Sequence, residues 1–257
     1  AFPRWNDKLR DSNFDWWKLA THTGNVQNYD LTINSGGEKL SAVFTGGVYK
    51  EDGAVRGYDF TRYNTMMKLN FKPYSWIAIR PSFNGSKGVI DDRQRSTYSM
   101  YSMLPWDSPY DEEGKIVGNR SSSWVNSNST NYLYELQYNW SKYDSYAFNG
   151  NFDFDIYLTD WLTFSSVNSY RWSTHLDKSY ADPRTSGAEG KGRVSESTST
   201  NTRRYTNQLL KATRSFGDYH GFLMLGYEFN DGEYRYHSSD GTGLVPGFAQ
   251  LDITSTP

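Results

Sequence analysis

The chain has 257 residues, with 27 basic and 29 acidic side chains, no cysteine and a formal net charge of −2. This balance provides no basic stripe for nucleic acid, and the lack of cysteine excludes disulfides, thiolate metal sites and cysteine nucleophiles. The mean hydropathy of −0.79 and the lack of a long apolar run exclude a membrane-spanning helix, although alternating strands of a transmembrane β-barrel remain compatible with it.

The first predicted elements are a short helix and a β-hairpin. The segment NDKLRDSNFDWWKLATHTG predicts one helix, capped by Asp11 or Ser12 and ended by Gly24. After it, VQNYDLTINSGG alternates apolar and polar residues, and KLSAVFTGGVY continues in the same way. The pair Gly36-Gly37 marks a short turn between these strands, and a medium-length loop near 50–58 follows them.

A second hairpin is predicted for RYNTMMKLNFKPYSWIAIRPSF, residues 62–83, with its turn at Pro73. One side of each strand is apolar, so this side must contact either a second protein layer or lipid. Pro81 lacks the N–H group that a ladder needs, and we expect it at a bulge or above the rim of a membrane. The apolar side holds Tyr63, Thr65, Met67, Leu69, Phe71, Ile77, Ile79 and Phe83, and the charges of the polar side are Arg62, Lys68, Lys72 and Arg80.

The remainder of the chain alternates long polar loops with hairpins. A loop near 85–131 precedes strands at YLYELQYNW and SYAFNGNFDFDIYL, and WLTFSSVNSYRW returns after a turn at Thr159-Asp160. A second loop near 173–201 leads to NTRRYTNQLLKATRSF, a tight turn at Gly217-Asp218, the strand YHGFLMLGYEFNDGEYRY and a last loop near 237–257. The prediction is an all-β, antiparallel up-and-down meander of about eight strands.

The loop lengths and strand lengths favour a membrane barrel. Alternate turns of a meander lie at opposite ends of the sheet, so every short turn is predicted at one end and every long loop at the other. Outer-membrane barrels sort their loops in this way, with short periplasmic turns and long extracellular loops. The predicted strands, roughly 11–16 residues, are also longer than the mean of about 5–6 in soluble proteins. Aromatic residues near the strand ends fit interfacial girdles, or merely the strand preference of these rings.

No catalytic constellation is evident in the sequence. The four histidines fall on different elements without ligand spacing, so neither a metal nor another cofactor is predicted. The acidic run from Asp107 to Glu113 lacks the calcium-loop pattern and is predicted to be a solvated loop. Asp153 and Asp155 share one side of a strand, which favours pore lining over a pair of glycosidase carboxylates.

Two groups of residues are the candidates for function. Trp106, Tyr110 and Trp124 lie on the first long loop, where their rings could stack on sugars, contact a lid protein or pin the loop to the barrel rim. The polar sides of the strands predict a set that faces the lumen, namely Arg62, Lys68, Arg80, Asp153 and Asp155.

Several stretches resemble a known family. DWWKLATHTGNVQNYDLTINSGGEKLSAVFTGGVYKEDGAVRGYDFTRYN is similar to a barrel segment of the SusC-like (SusC/RagA) TonB-dependent outer-membrane transporters of Bacteroidota. The match comprises Asp15-Trp16, Asn28–Gly37 with Asn34 where the family usually has serine, and Gly47–Tyr63. LPWDSPYDEEGKIVG resembles an extracellular loop of the family, and GTGLVPGFAQLDITSTP resembles a later one.

The resemblance implies one segment, residues 1–257, of a large 22-stranded barrel in the outer membrane, surrounded by lipid. It implies import of an oligosaccharide or peptide without bond cleavage, a SusD-like surface lipoprotein as partner, and TonB acting through a plug domain. The sequence shows no plug and no terminal aromatic strand, so we expect an internal piece of a longer polypeptide. The alternatives are an intact eight-stranded barrel and a soluble β-rich domain that binds or hydrolyses glycans.

Overall fold

The computed structural model describes residues 12–93, 98–126, 128–188 and 190–255. Eight strands form one antiparallel sheet in chain order, with each strand paired to its sequence neighbours, which confirms the predicted all-β meander. The strands β1 and β8 form the two edges of this open sheet. The strands are β1 (Asn25–Gly36), β2 (Leu40–Asp52), β3 (Tyr58–Tyr74), β4 (Ile77–Asp92), β5 (Trp140–Tyr157), β6 (Leu162–Ala181), β7 (Arg193–Phe216) and β8 (Tyr219–Thr242).

The connections are sorted by length as predicted. The turns at 37–39, 75–76, 158–161 and 217–218 are short and lie at one end of the sheet. The described residues of the segments 53–57, 93–139 and 182–192, together with those of the segment that follows β8, lie at the other end. We call these the short-turn end and the long-loop end.

The strands extend further into the polar segments than predicted. The loops predicted near 85–131, 173–201 and 237–257 shrink because β4 reaches Asp92, β6 reaches Ala181, β7 starts at Arg193 and β8 reaches Thr242. The strands consequently run from 12 to 24 residues. Alternation fades in these extensions, but main-chain pairing needs only N–H and C=O partners and continues without apolar side chains.

Among the described residues, three short α-helices lie outside the sheet: α1 (Trp16–Ala20), α2 (Tyr98–Tyr101) and α3 (Tyr132–Tyr138). The prediction of a strand at YLYELQYNW was wrong, because Asn131 caps α3 by accepting a hydrogen bond from the Leu133 N–H, and β5 begins only at Trp140. The predicted caps of α1 were also wrong, since Asp15 accepts from the Lys18 N–H. None of the helices among the described residues is long and apolar enough to cross a bilayer.

Pro81 lies inside β4, opposite Phe152 of β5. The pairing of β3 with β4 is interrupted between Lys68–Ser82 and Phe71–Ile79, the interval that contains Pro81. The register itself shifts only between Phe71 and Tyr74, so the bulge expected at Pro81 is displaced toward the turn. The missing N–H is tolerated because pairing is lost only toward β3, while the pairing of β4 with β5 continues past Pro81.

Buried apolar residues concentrate at the long-loop end. One cluster joins α1, residues 100–124 and α3, and a smaller one joins β6, β7 and the segment after β8. Large apolar side chains on the strands, such as Leu31 and Leu225, are instead about 61% exposed. Within the described residues no second sheet covers the first, so its apolar side is not the inner face of a sandwich. The cluster members are Trp16, Ala20, Met100, Met103, Trp124 and Tyr132, and Tyr180, Val194 and Leu244.

Candidate functional site

The register divides the sheet into two chemically different faces. Starting at Ile33, one row of partners runs through Phe44, Met67, Phe83 and Gly150 to Tyr170. Because side chains alternate along a strand, every second residue belongs to the same side. We call this the apolar face; it also carries Leu31, Leu69, Phe148, Phe152, Phe154, Phe164, Leu210 and Leu225.

The opposite side, the polar face, carries charged and amide side chains. All five residues predicted to line a lumen lie on it: Lys68 stands opposite Ser82, Arg80 opposite Asp153, and Asp155 opposite Ala78. Arg62 shares this side and holds its guanidinium 5.5 Å from the centre of the Tyr49 ring. The predicted set is therefore brought onto one surface, spread over three strands.

Two of these charges form an ion pair. Arg80 Nη2 lies 2.8 Å from Asp155 Oδ2, between β4 and β5. Asp153 is bound differently, since its carboxylate accepts a hydrogen bond of 3.2 Å from the Asn168 N–H. The β5–β6 pairing is interrupted there, between Asn151–Ser169 and Phe154–Ser166, so Asp153 completes the main-chain bonding of β6.

The long-loop end is a folded platform. We define the loop platform as the described residues of 14–22, 53–57, 98–139, 182–192 and 243–255. Trp16 Nε1 donates to the Asp107 carbonyl oxygen at 2.9 Å, and the Tyr132 hydroxyl donates to the Arg56 carbonyl oxygen at 2.7 Å. These contacts attach α1 and the β2–β3 connection to the segment between β4 and β5. The platform is thus held by contacts far apart in sequence.

Asp107 organises the first long segment from inside. It is 1% exposed, and its carboxylate accepts hydrogen bonds of 2.6 and 3.0 Å from the N–H groups of Val125 and Asn126. The prediction of a solvated residue was therefore wrong for Asp107, because its partners return to it only 18 residues later. Asp111, in the same acidic run, is exposed and accepts from the Glu113 and Lys115 N–H groups within a tight turn.

The three candidate rings differ in their accessibility. Trp124 is 1% exposed, donates from Nε1 to the Ser108 carbonyl oxygen and packs edge to face on Trp16 with ring centres 5.9 Å apart. This burial contradicts a direct ligand contact by Trp124, which instead pins the loop. Tyr110 is half-buried beside Phe14, and Trp106 is half-buried as well.

A buried polar network that was not predicted from the sequence connects the platform segments. Glu135 of α3 is 2% exposed and accepts hydrogen bonds from Asn119, from Asn139 and from both the N–H and the hydroxyl group of Ser186. The Asn139 amide oxygen in turn accepts from the N–H of Asp182 at 2.8 Å. Helix α3 is thereby bonded to the β6–β7 connection.

Asp182 is the second centre of this network. Its carboxylate receives bonds of 2.7 and 2.8 Å from the Arg184 guanidinium, one from the Tyr180 hydroxyl and one from the Gly247 N–H. Burial raises its pKa, but the hydrogen bonds from Arg184, Tyr180 and Gly247 outweigh burial and bring the pKa down to about 2. Arg184 also stacks 3.9 Å from the centre of the Tyr138 ring. Tyr180 and Arg184 are only two residues from Asp182 in the sequence, whereas Gly247 reaches its carboxylate only through the fold.

Small cavities lie on both faces and in the platform. One of about 460 Å³ is lined by Asn119, Arg120, Arg184 and Gly190. On the apolar face, one of about 360 Å³ surrounds Pro81 and Gly150. On the polar face, one of about 260 Å³ is lined by Ser169, Arg171, Arg203, Tyr205 and Asn230. In the described part of the chain no three His, Asp or Glu side chains are placed to share a metal ion.

Comparison with known proteins gives matches among solved structures. The chain is similar to one chain of the RagAB peptide importer in its "closed-closed" state and of the RagAB peptide transporter, each with a TM-score of 0.79, 15% identity and coverage of 96% of this chain. The importer in its "open-open" state matches with a TM-score of 0.75, 16% identity and the same coverage. This chain spans 28–29% of those chains. No family model and no curated protein matches it.

Proposed function

We propose that this chain forms part of the barrel wall of an outer-membrane nutrient importer. In this arrangement the apolar face contacts lipid, the polar face lines a water-filled lumen, and the loop platform faces the cell exterior. The observation that carries the proposal is a single two-faced sheet of long strands with every long connection at one end. The likeness to the RagAB chains supports the same fold over 96% of this chain.

The physical basis of the proposal is backbone pairing in lipid. Lipid offers no hydrogen-bond partner, so a membrane sheet must close on itself and satisfy every N–H and C=O group between strands. The edges β1 and β8 would therefore pair with further strands of the complete importer, which we infer to be a 22-stranded barrel of the SusC-like type. An open edge in isolation would be a site of aggregation.

Import would proceed by binding and displacement without breaking a covalent bond. A cargo would be held between the loop platform and a SusD-like surface lipoprotein, and TonB would act on a plug inside the barrel to open the path. Of the three candidate rings, Trp106 and Tyr110 are only half-buried and would remain available to the lid or the cargo. Arg62, Lys68, Arg80, Asp153 and Asp155 would line the path. Because the similar solved structures are described as peptide importers, we favour a peptide over an oligosaccharide as cargo.

The test is uptake by the full-length protein in its native envelope. Cells would be given a fluorescent peptide or a fluorescent oligosaccharide, with and without deletion of the protein and with TonB removed. The proposal expects the protein in the outer-membrane fraction, heat-modifiable gel mobility and TonB-dependent uptake that disappears with the deletion. A full-length protein that stays monomeric and folded in buffer without detergent would contradict it and favour a soluble glycan-binding or glycan-hydrolysing domain.

A further inference from the structure

Two arginines stand directly opposite each other on the polar face. Arg171 of β6 pairs in register with Arg203 of β7, and side chains directly across a ladder are nearest neighbours. Both side chains are exposed. Like charges in this position repel each other, so the arrangement costs stability unless an anion lies between them.

Neither arginine has an ion-pair partner among the described residues, although several other arginines do. Arg204, the neighbour of Arg203 on the opposite face, lies 3.5 Å from Asp231, and Arg80 lies 2.8 Å from Asp155. The flanking positions of the row are neutral, because Asn149 stands beside Arg171 and Gly232 beside Arg203. The two positive charges are therefore not offset by a neighbour in their own row.

The groups around the pair complete a site for an anion. Ser169, Tyr205 and Asn230 line the cavity of about 260 Å³ together with the two arginines. The Tyr205 hydroxyl accepts a hydrogen bond from Asn207 Nδ2, which leaves its own proton available to donate. Guanidinium groups bind carboxylates through two parallel N–H···O bonds, and neutral donors beside them add further bonds to the same oxygens.

The position along the strands restricts the occupant. Arg203 is ten residues from the long-loop end of β7, which corresponds to about 33 Å along an extended strand. A partner seated on the platform would not extend to this depth. An occupant must lie within the lumen, either as cargo in passage or as an acidic side chain from another part of the importer.

We propose that Arg171 and Arg203 form a binding step for a cargo carboxylate on its way through the lumen. This inference rests on the proposed import function and adds to it a preference for peptides that carry a free carboxylate. The pair would attract the anion by long-range electrostatics, and exposure to water would keep the binding weak enough for release.

The experiment compares two peptides on the full-length transporter purified in detergent. One fluorescent hexapeptide of alanine and serine ends in a free-acid aspartate, and the other ends in asparagine amide. The proposal expects the wild type to prefer the acidic peptide by about tenfold or more in Kd. The double variant Arg171→Gln/Arg203→Gln should lose this preference and bind the neutral peptide within about twofold of the wild type.

The matched control is Arg204→Gln, which removes the adjacent guanidinium on the opposite face and should preserve the preference. A wild type without preference, or a double variant that loses both peptides equally, would overturn the proposal. The proposal would also be overturned by a double variant that keeps the preference but, in the absence of peptide, melts at a lower temperature than Arg204→Gln. That result would show that an acidic side chain of the protein itself neutralises the two arginines. Uptake of the neutral peptide by cells tests the import function separately, because it can succeed while the carboxylate preference fails.

Discussion

Single carboxylates decide much of the structure at the long-loop end. Asp107 and Glu135 are almost completely buried, and each is surrounded by several donors. A buried carboxylate is tolerated only when hydrogen bonds replace its hydration, and removal of one partner leaves the others unsatisfied. The platform therefore depends on a few polar side chains as much as on its apolar clusters.

The contribution of Asp182 to the stability of the platform should depend on pH. Its pKa lies at about 2 in the fold, below the ordinary 3.8, so its stabilising contribution is complete above pH 3.8 and is lost as the pH falls through 2. We expect Asp182→Asn to lower the free energy of opening the 182–192 segment by about 2 kcal/mol near neutral pH, and the difference to narrow between pH 4 and 2. Hydrogen exchange of the full-length protein measures this.

The control for Asp182 is Glu113→Gln, because Glu113 is a largely exposed acid whose partner is Lys115. This substitution should leave the hydrogen exchange of the 182–192 segment unchanged at every pH. An equal effect of both substitutions at every pH would show that Asp182 does not hold the segment through its charge.

Trp124 is a candidate ring whose burial indicates a structural role in the platform. Because its side chain is buried against Trp16, we expect Trp124→Ala to destabilise the platform by about 3–5 kcal/mol. Limited proteolysis should then cut within 98–126, whereas Tyr101→Ala, at a residue that is 72% exposed, should leave the segment protected. Unchanged protection in Trp124→Ala would contradict the assignment of this ring to the platform core.

The strands are defined by alternation and by pairing together. Alternation assigns a side to every residue, and a displacement of one residue in register would exchange the two faces. The helix α3 shows where local pattern fails, because YLYELQY alternates like a strand but is capped by Asn131 and buries Tyr132 and Glu135 on one side. Packing against α1 and the β6–β7 connection outweighs the strand preference of its tyrosines.

Adjacent residues of β3 test the two faces. Leu69 lies on the apolar face opposite Ala42, and Lys68 lies on the polar face opposite Val43. We expect Leu69→Arg to impair barrel assembly, by about 2–4 kcal/mol if it lies at the bilayer midplane and less near an interface, whereas Lys68→Glu is tolerated. Heat-modifiable mobility of the full-length protein in outer-membrane fractions reports assembly, and equal losses for both variants would contradict the assigned faces.

The described residues form one sheet whose two ends carry very different connections. The short-turn end has connections of two to four residues, while the long-loop end carries both buried clusters and the polar network. In the proposed importer, this asymmetry would place water, lipid and a binding partner against different parts of the same sheet. The strands supply the backbone pairing, and the platform and the polar face are the surfaces on which the proposed recognition would take place.

The open sheet also predicts the behaviour of the 257-residue chain when it is expressed alone. The edge strand β8 has 24 residues, many with large exposed apolar side chains. Such an edge pairs readily with other copies, so the isolated chain should aggregate in buffer and remain dispersed only in detergent. Light scattering with and without detergent measures this, and a monodisperse monomer in buffer would argue against an unpaired β8.

The sequence by itself determined the antiparallel meander, the order of short turns and long connections, and the side of the five strand residues Arg62, Lys68, Arg80, Asp153 and Asp155, because alternation with a period of two is a local property. Only the tertiary structure decided that Asp107 and Trp124 are buried, that 132–138 is a helix, that Asp182 joins three segments and that Arg171 stands opposite Arg203. Most of these features depend on partners that are distant in the sequence, such as Val125 for Asp107 and Gly247 for Asp182. Such partners are chosen by hydrogen-bond satisfaction and packing, which no local pattern encodes.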